Sequence, residues 1–334
     1  MKIDLQSPKK KSTPSWWGER KVGQLVPVKL SRAGIDLTLY LADGIHPGPT
    51  LLVMGTVHGN EHEGPVSIAR LLRELDPNEL SGTLIALPVT NPPAFNANTR
   101  ESPLDGLNLA RIFPGKPDGS PSEQLADLLT TEVIGVADAV IDLHSAGTTY
   151  EMALLVGYPN LGDLHGKLSR EMGLAFGAPV LWEHPVISPG RTLSAATEMG
   201  IPCVYTESAG GGGAPPEVVD CYVQGIQRVM QALGMIAGGD AVEPRHERFW
   251  RGDGNVDTAL TAGFDGLFHC FVNVGDAVQI GDILGEIWDF DGTILQQFAA
   301  AQPGIIAMTR RTPHVAAGDG LYLLTENVDE ATAA

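Results

Sequence analysis

The chain is poor in positive charge, poor in cysteine and without any long apolar run. Its 334 residues carry 22 Lys and Arg against 40 Asp and Glu, a formal net charge of -18. Phosphate backbones are gripped by clustered Lys and Arg, so nucleic acid is a poor candidate partner. The only basic cluster, Lys9-Lys10-Lys11, lies in a polar N-terminal stretch expected to be a mobile tail. Cys203, Cys221 and Cys270 have no metal-like spacing and cannot all pair, so they are expected to be reduced, as in a cytoplasmic protein. No apolar stretch reaches the length of a membrane span, and the N-terminus has no apolar signal core. No Lys occurs after Lys167, and no Gly-x-Ser-x-Gly elbow or phosphate-binding Gly-rich loop is present.

What is present is a soluble-protein texture, with 43% hydrophobic residues and a mean hydropathy of +0.02, in a chain long enough to bury a large core. Residues 20–41 alternate apolar and polar positions and read as a β-hairpin closed near Ala33-Gly34. The run Thr50-Leu51-Leu52-Val53-Met54 reads as a buried strand and precedes a helical period from Pro65 to Leu75. A strand is expected at 82–89, a long loop of a length usually functional or disordered at 91–121, a helix near 122–129 and a strand at 137–144. Strand and helix continue to alternate to about Leu233. The rhythm predicts an α/β fold with a mixed, mostly parallel sheet flanked by helices.

The texture changes after Gly238-Gly239-Asp240. Short apolar runs are separated there by Gly-Asp turns, at Gly275-Asp276, Gly281-Asp282 and Gly318-Asp319, with no helical period. A small all-β domain is expected, and Phe271–Val278 and Thr312–Leu321 resemble weak copies of one unit. This resembles the barrel-sandwich fold of biotinyl and lipoyl carriers, but the comparable stretch Ile306–Arg310 lacks the Lys that such carriers modify. The expected divisions are a tail at 1–19, a catalytic domain at 20–240 and the β domain at 245–327.

The densest chemistry follows the buried strand: Gly55-Thr56-Val57-His58-Gly59-Asn60-Glu61-His62-Glu63-Gly64. His58 and Glu61, three residues apart on a Gly-bounded loop, can direct an imidazole and a carboxylate at one metal ion. Zinc takes such ligands, and catalytic zinc needs a third plus an open position. His144, at the end of apolar Ala139-Val140-Ile141, is the best third candidate, because parallel strands open their carboxyl ends onto one crevice. Asp142 shares a strand face with His144 and can hold the imidazole from behind. His62 and Glu63 are expected only to cap or solvate the following helix.

His58-Gly59-Asn60-Glu61, Asn91-Pro92-Pro93-Ala94, Arg100, the stretch from Asp105 to Gly115, Asp142-Leu143-His144 and Thr206-Glu207 occur in an order that resembles the succinylglutamate desuccinylase/aspartoacylase family. That family is the deacylase branch of the zinc carboxypeptidase fold. The resemblance spans about residues 20–325. It implies one Zn2+ on His58, Glu61 and His144, with Glu207 as the catalytic carboxylate and Arg100 polarising the scissile carbonyl. It further implies that Arg111 grips a substrate carboxylate, with Arg191 as a further substrate-binding arginine. The family usually reads Asp-Leu-Asn-Arg where this chain has Asn108-Leu109-Ala110-Arg111. Ala110 cannot donate an amide hydrogen bond, and Asn108 is the candidate replacement. The implied activity is removal of a small acyl group from an N-acylated amino acid or related small molecule. The loop and the Glu207-plus-glycine segment look closest to the N-acetyl-diaminobutyrate deacetylases of that family. The alternatives are a metallocarboxypeptidase acting on short peptides and a metal-free binding protein of the same fold. The implied partner is a small N-acyl substrate, with homo-oligomerisation left open.

Overall fold

A computed structural model describes residues 2–5, 13–238 and 246–329. Lys9-Lys10-Lys11 and the junction at 239–245 lie outside the described residues. The strands are β1 Gln24–Arg32, β2 Ile35–Asp43, β3 His46–Gly55, β4 Ser81–Leu87, β5 Ala139–Leu143, β6 Tyr150–Met152, β7 Leu155–Pro159, β8 Val180–His184, β9 Cys203–Glu207 and β10 Arg248–Arg251. They continue as β11 Leu260–Thr261, β12 Gly266–Cys270, β13 Ala277–Val278, β14 Ile283–Trp288, β15 Ile294–Ala299, β16 Gly304–Arg310, β17 His314–Val315 and β18 Gly320–Val328. The helices are α1 Glu63–Glu74, α2 Pro92–Ala97, α3 Pro121–Leu128, α4 Leu164–Phe176, α5 Thr192–Glu198 and α6 Pro216–Ala232.

The large sheet runs β1-β2-β4-β3-β5-β9-β7-β8-β10-β18-β16-β13. Parallel pairing is confined to β4-β3-β5-β9 and to β7-β8-β10. The remaining neighbours on that path are antiparallel, so the sheet is mixed, and the expected parallel character belongs to these two blocks. β1 and β2 form the expected hairpin, turning through Ala33 and Gly34, both at positive φ as a tight two-residue hairpin turn requires.

β3 shows why the central strands are apolar throughout. Leu51 and Val53 enter one core with helices α1, α4 and α6, while Leu52 and Met54 enter a second core on the opposite face. A strand covered on both faces has no polar side, which is the usual state of parallel sheets inside α/β proteins. Ile3 is buried in the first core and Trp16 in the second, so these parts of the expected N-terminal tail are packed against the sheet. The expected loop at 91–121 contains the short helix α2, started by Asn91, whose side chain accepts from the Ala94 N–H.

The C-terminal residues are all-β apart from one 3-10 turn at Val256–Thr258. A second sheet, β15-β14-β12-β17, faces β13, β16 and β18 across a core of Phe268, Leu284, Phe298, Val278, Ile306 and Tyr322. The Gly-Asp turns repeat one local device. Gly275, Gly281 and Gly318 sit at positive φ, and Asp276, Asp282 and Asp319 each accept the backbone N–H three residues earlier. The C-terminal strands also continue the large sheet. β10 pairs with β8, and β6 pairs with β16. Trp250 lies at that junction, fully buried and edge-on to Trp182 at 5.7 Å between ring centroids. Trp250→Ala removes a large buried side chain there and is expected to cost about 3–5 kcal/mol. Urea unfolding measures this, and a loss below about 1 kcal/mol would show that the junction contributes little to the fold.

Candidate metal centre and active-site cleft

Neighbouring parallel strands bring three chain segments to one edge. Gly55 at the end of β3 is in register with Leu143 of β5, and Leu143 with Thr206 of β9. The residues just beyond, His58, His144 and Glu207, therefore emerge at adjacent carboxyl ends. The loop carrying His58 is pinned by its neighbours. Asn91 donates through Nδ2 to Val57 O, the Asn91 N–H donates to Thr56 O, and Thr56 itself sits at positive φ with its hydroxyl on Pro88 O. Gly59 leaves no space for a side chain, since a Cβ there would lie 2.0 Å from the Ala94 backbone.

Glu61 stands between the two imidazoles. Its Oε1 is 2.7 Å from His58 Nδ1, and its Oε2 is 2.9 Å from His144 Nδ1. It also accepts from Arg100 Nη1 at 3.3 Å and from the Ser145 N–H at 3.3 Å. Ligand atoms of His58, Glu61 and His144 all lie within 4.8 Å of one another, and all three residues are buried. The far nitrogens are held as well. His144 Nε2 lies 3.0 Å from Asp142 Oδ2, and the Thr192 hydroxyl also donates to that oxygen. His58 Nε2 lies 3.1 Å from Asn108 Oδ1, an atom that also accepts from the Ala110 N–H.

These contacts determine where the protons are. Asn108 Oδ1 accepts a backbone N–H, so it is an oxygen, and His58 must donate to it from Nε2. Burial and the nearby Arg100 lower the His58 pKa to about 4, so the ring is neutral at pH 7 and Nδ1 carries a lone pair. That lone pair points at a carboxylate oxygen 2.7 Å away. Two electron-rich atoms at such a distance need a cation between them. His144 repeats the pattern, with Nε2–H directed to Asp142 and Nδ1 toward Glu61. Two imidazole nitrogens and one carboxylate, each imidazole held from behind, fit a divalent ion such as zinc. Unlike His58, His144 is raised well above its ordinary pKa by the facing carboxylates Asp142 and Glu61 despite its burial, so its Nδ1 can carry a proton toward Glu61, a proton that a divalent ion would replace. Glu61 is held below the usual carboxylate range by His58 and His144, against the cost of its burial.

The cleft in front of this group is lined by His58, Arg100, Ala110, Arg191, Tyr205 and Glu207 among others. Glu207 ends β9, and its buried Oε2 has no hydrogen-bond partner. Burial, then the charge of Glu61, pushes the Glu207 carboxyl up to about 8. Arg111 lies on a 3-10 turn at Leu109–Arg111, and its guanidinium forms a two-pronged pair with Asp257 at 2.9 Å on both arms. Arg191 donates to Asn255 Oδ1 at 2.7 Å and lies 3.6 Å from Asp257. Arg100, Arg111 and Arg191 thus share one cleft, and Asn108 links the turn of Arg111 to His58.

His62 and Glu63 do not cap or solvate α1 as expected. No side chain caps that helix; His62 Nδ1 is 3.2 Å from Gly212 O, and Glu63 is buried with Oε1 accepting from the Ser208 hydroxyl. Glu63 therefore ties the start of α1 to the residue after Glu207. Sequence reasoning missed this link, and it missed Thr192 behind Asp142, His184 against Tyr205, and the acids Asp253 and Asp257. These contacts join residues 21 to 146 positions apart, with no spacing signal to announce them.

An α/β protein with a buried His-Glu-His group at the carboxyl ends of its central parallel strands is the class that fold and site define. Residues 47–233 match the model of the succinylglutamate desuccinylase/aspartoacylase catalytic domain, and the chain belongs to that family. It is 31% identical over 286 residues to an N-alpha-acetyl-L-2,4-diaminobutyric acid deacetylase of Halomonas elongata, a span covering 84% of this chain and 83% of that protein. Among solved structures, a succinylglutamate desuccinylase from Silicibacter is 27% identical with a TM-score of 0.81, covering 91% of this chain and 93% of that one. The product-bound ectoine utilization protein EutE (DoeB) from Ruegeria pomeroyi is 28% identical with a TM-score of 0.80, covering 90% and 94% of the two chains.

Asp142→Asn keeps the shape behind His144 but weakens the acceptor of its Nε2–H. Loss of such a partner commonly costs about 10–100-fold in metal affinity. Competition with a chelator measures the change in zinc affinity, and unchanged affinity would remove Asp142 from the centre.

Proposed function

We propose that the protein hydrolyses the amide bond of a small Nα-acyl amino acid, with zinc on His58, Glu61 and His144. The observation that carries this reading is the pair of imidazole Nδ1 atoms converging on Glu61, beside an unpartnered Glu207 oxygen in the same cleft. The Halomonas relative, named as a deacetylase of an acetylated diamino acid, supports an acetyl group as the acyl portion.

Zinc, when bound, supplies Lewis acidity and makes water acidic enough to lose a proton near neutrality. Glu207 is the base that takes that proton and later returns it to the leaving nitrogen. Its raised pKa keeps the proton at hand for the second transfer, and positive charge held at the three ligands favours the carboxylate needed for the first. Arg100, already anchored on Glu61, directs its remaining N–H groups at the acyl oxygen as negative charge develops there. Arg111 and Arg191 face the amine half of the substrate. Asp253, Gly254 and Val256 form the opposite wall of the cleft. The facing C-terminal sheets are proposed to form a domain of barrel-sandwich type that is continuous with the large sheet through β10, and whose leading segment narrows access and excludes proteins as substrates.

The test is release of acetate, succinate or other acids from a panel of N-acyl amino acids by the zinc-loaded protein. Release of C-terminal amino acids from peptides without deacylation would overturn the reading. Glu207→Gln is expected to retain metal and to lose about 10²–10⁴-fold in turnover. In the unmodified protein, kcat/KM is expected to rise with pH through one ionisation on the acid side, because the active form of Glu207 is the carboxylate. Near-normal turnover in Glu207→Gln would sink the assigned base.

A further inference from the structure

Glu207 Oε2 is buried without a hydrogen-bond partner, so the backbone that carries the side chain has to set its place in the cleft. Glu207 is the last residue of β9, and residues 210–213 beyond it are all glycine and offer no side chain to hold the strand end. Ser208 stands between the two and is fully buried. Its carbonyl accepts the Ala146 N–H at 3.1 Å, and its hydroxyl donates to Glu63 Oε1 at 3.2 Å. Ala146 follows His144 by two residues, and Glu63 follows Glu61 by two. Both loops that bear candidate metal ligands therefore close on the residue next to Glu207.

Glu63 is itself fixed. A Cβ on the next residue, Gly64, would lie 3.0 Å from Leu143 O and 3.4 Å from the Gly55 Cα, so the start of α1 is pressed against β3 and β5. Ser67 Oγ donates to Glu63 O at 2.7 Å. The second carboxyl oxygen, Glu63 Oε2, is buried with no hydrogen-bond partner. An unanswered polar atom inside the protein is costly, and a solvated acid would suit a helix N-terminus equally well. What the buried position provides is the grip on Ser208. Two residues before Ser208, the Thr206 hydroxyl reaches His144 O at 3.4 Å, beside the Tyr222 hydroxyl at 2.7 Å from the same atom. Side chains alternate along a strand, so Thr206 and Ser208 are tied on one face while Glu207 points into the cleft on the other.

We propose that Glu63 and Ser208 act as a positioning pair for Glu207, holding its carboxyl at the place in the cleft where it exchanges a proton. This role rests on Glu207 being the base of the deacylase proposed above, and it adds two residues that act through Glu207 alone. A reacting group misplaced by about 1 Å can cost about 100-fold in rate, so the pair is expected to show in kcat.

The test uses the zinc-loaded protein, the best substrate of the N-acyl amino acid panel and chelator competition for zinc affinity. Ser208→Ala and Glu63→Ala are each expected to lower kcat about 10–100-fold, with KM and zinc affinity changed by less than about threefold. Glu63→Gln keeps an acceptor oxygen for Ser208 and is expected to hold kcat within about threefold of the unmodified protein. Combining Glu63→Ala with Ser208→Ala is expected to cost no more than either change alone, because both break one link. In a Glu207→Gln background, Ser208→Ala is expected to change the residual turnover by less than about twofold, since the group it positions is already gone. A merely structural role would lower that residual turnover too, or would raise KM or weaken zinc binding, and any of these would overturn the proposal. Near-normal kcat in Ser208→Ala, or a Glu63→Gln variant as slow as Glu63→Ala, would also overturn it while leaving the deacylase reading intact. If Glu63→Ala does not fold, Ser208→Ala and Glu63→Gln carry the test. Hydrolysis of nothing in the panel by the unmodified protein would instead overturn the deacylase reading.

Discussion

One carboxylate shared by two imidazoles organises this molecule. Glu61 lies within 2.9 Å of a ring nitrogen of both His58 and His144, and the two rings come from different strands of the sheet. Burying an anion is costly unless charge and hydrogen bonds answer it. The chain answers with Arg100 and the Ser145 N–H. The same answers require that loops from β3, β5 and the segment at 98–111 meet at one place. The pinning of Thr56, Val57 and Gly59 against Asn91 and α2 follows from that requirement. A metal site built this way has its tautomers set before any ion arrives, because Asn108 and Asp142 dictate which nitrogen of each ring carries the proton.

Much of the central sheet was legible because its signals are local. The β1–β2 hairpin follows from alternation plus a two-residue turn, and β3 from an apolar run of strand length. The Gly-Asp turns of the C-terminal region are read equally directly, since each is closed by an Asp side chain that accepts the backbone N–H three residues earlier. His58 and Glu61 belong to the same category, a pair on one loop. His144 needed one further step, the rule that parallel strands open their carboxyl ends onto a common crevice. The family match agrees with the resemblance carried by those motifs.

What stayed hidden is what depends on sheet order. Nothing near Trp250 says that β10 will lie parallel beside β8, or that β6 will pair with β16. The texture change after Gly238 signals an all-β region, but it does not signal that this region continues the large sheet. Glu63 misleads for a related reason. At the first turn of an exposed helix an acid is ordinarily solvated and favourable to the dipole. Here α1 starts beneath the strand end of Glu207, so the carboxylate is buried and turned to Ser208.

The continuity of the sheet also bears on where selectivity resides. The loop at 108–111 offers no side-chain amide at Ala110, and its remaining cation, Arg111, is fully engaged by an acid 146 residues later in the chain. That acid arrives because β10 extends the β7-β8 block and delivers residues 252–258 to the cleft at a fixed height. The sheet register therefore places acids opposite arginines, whereas His58, Glu61 and His144 make no contact with residues 252–258 and are held from the 108–111 side by Asn108. The His-Glu-His group and the acids at 252–258 are thus delivered by separate parts of one sheet: the β3-β5-β9 strand ends for the first, the β8–β10 edge for the second.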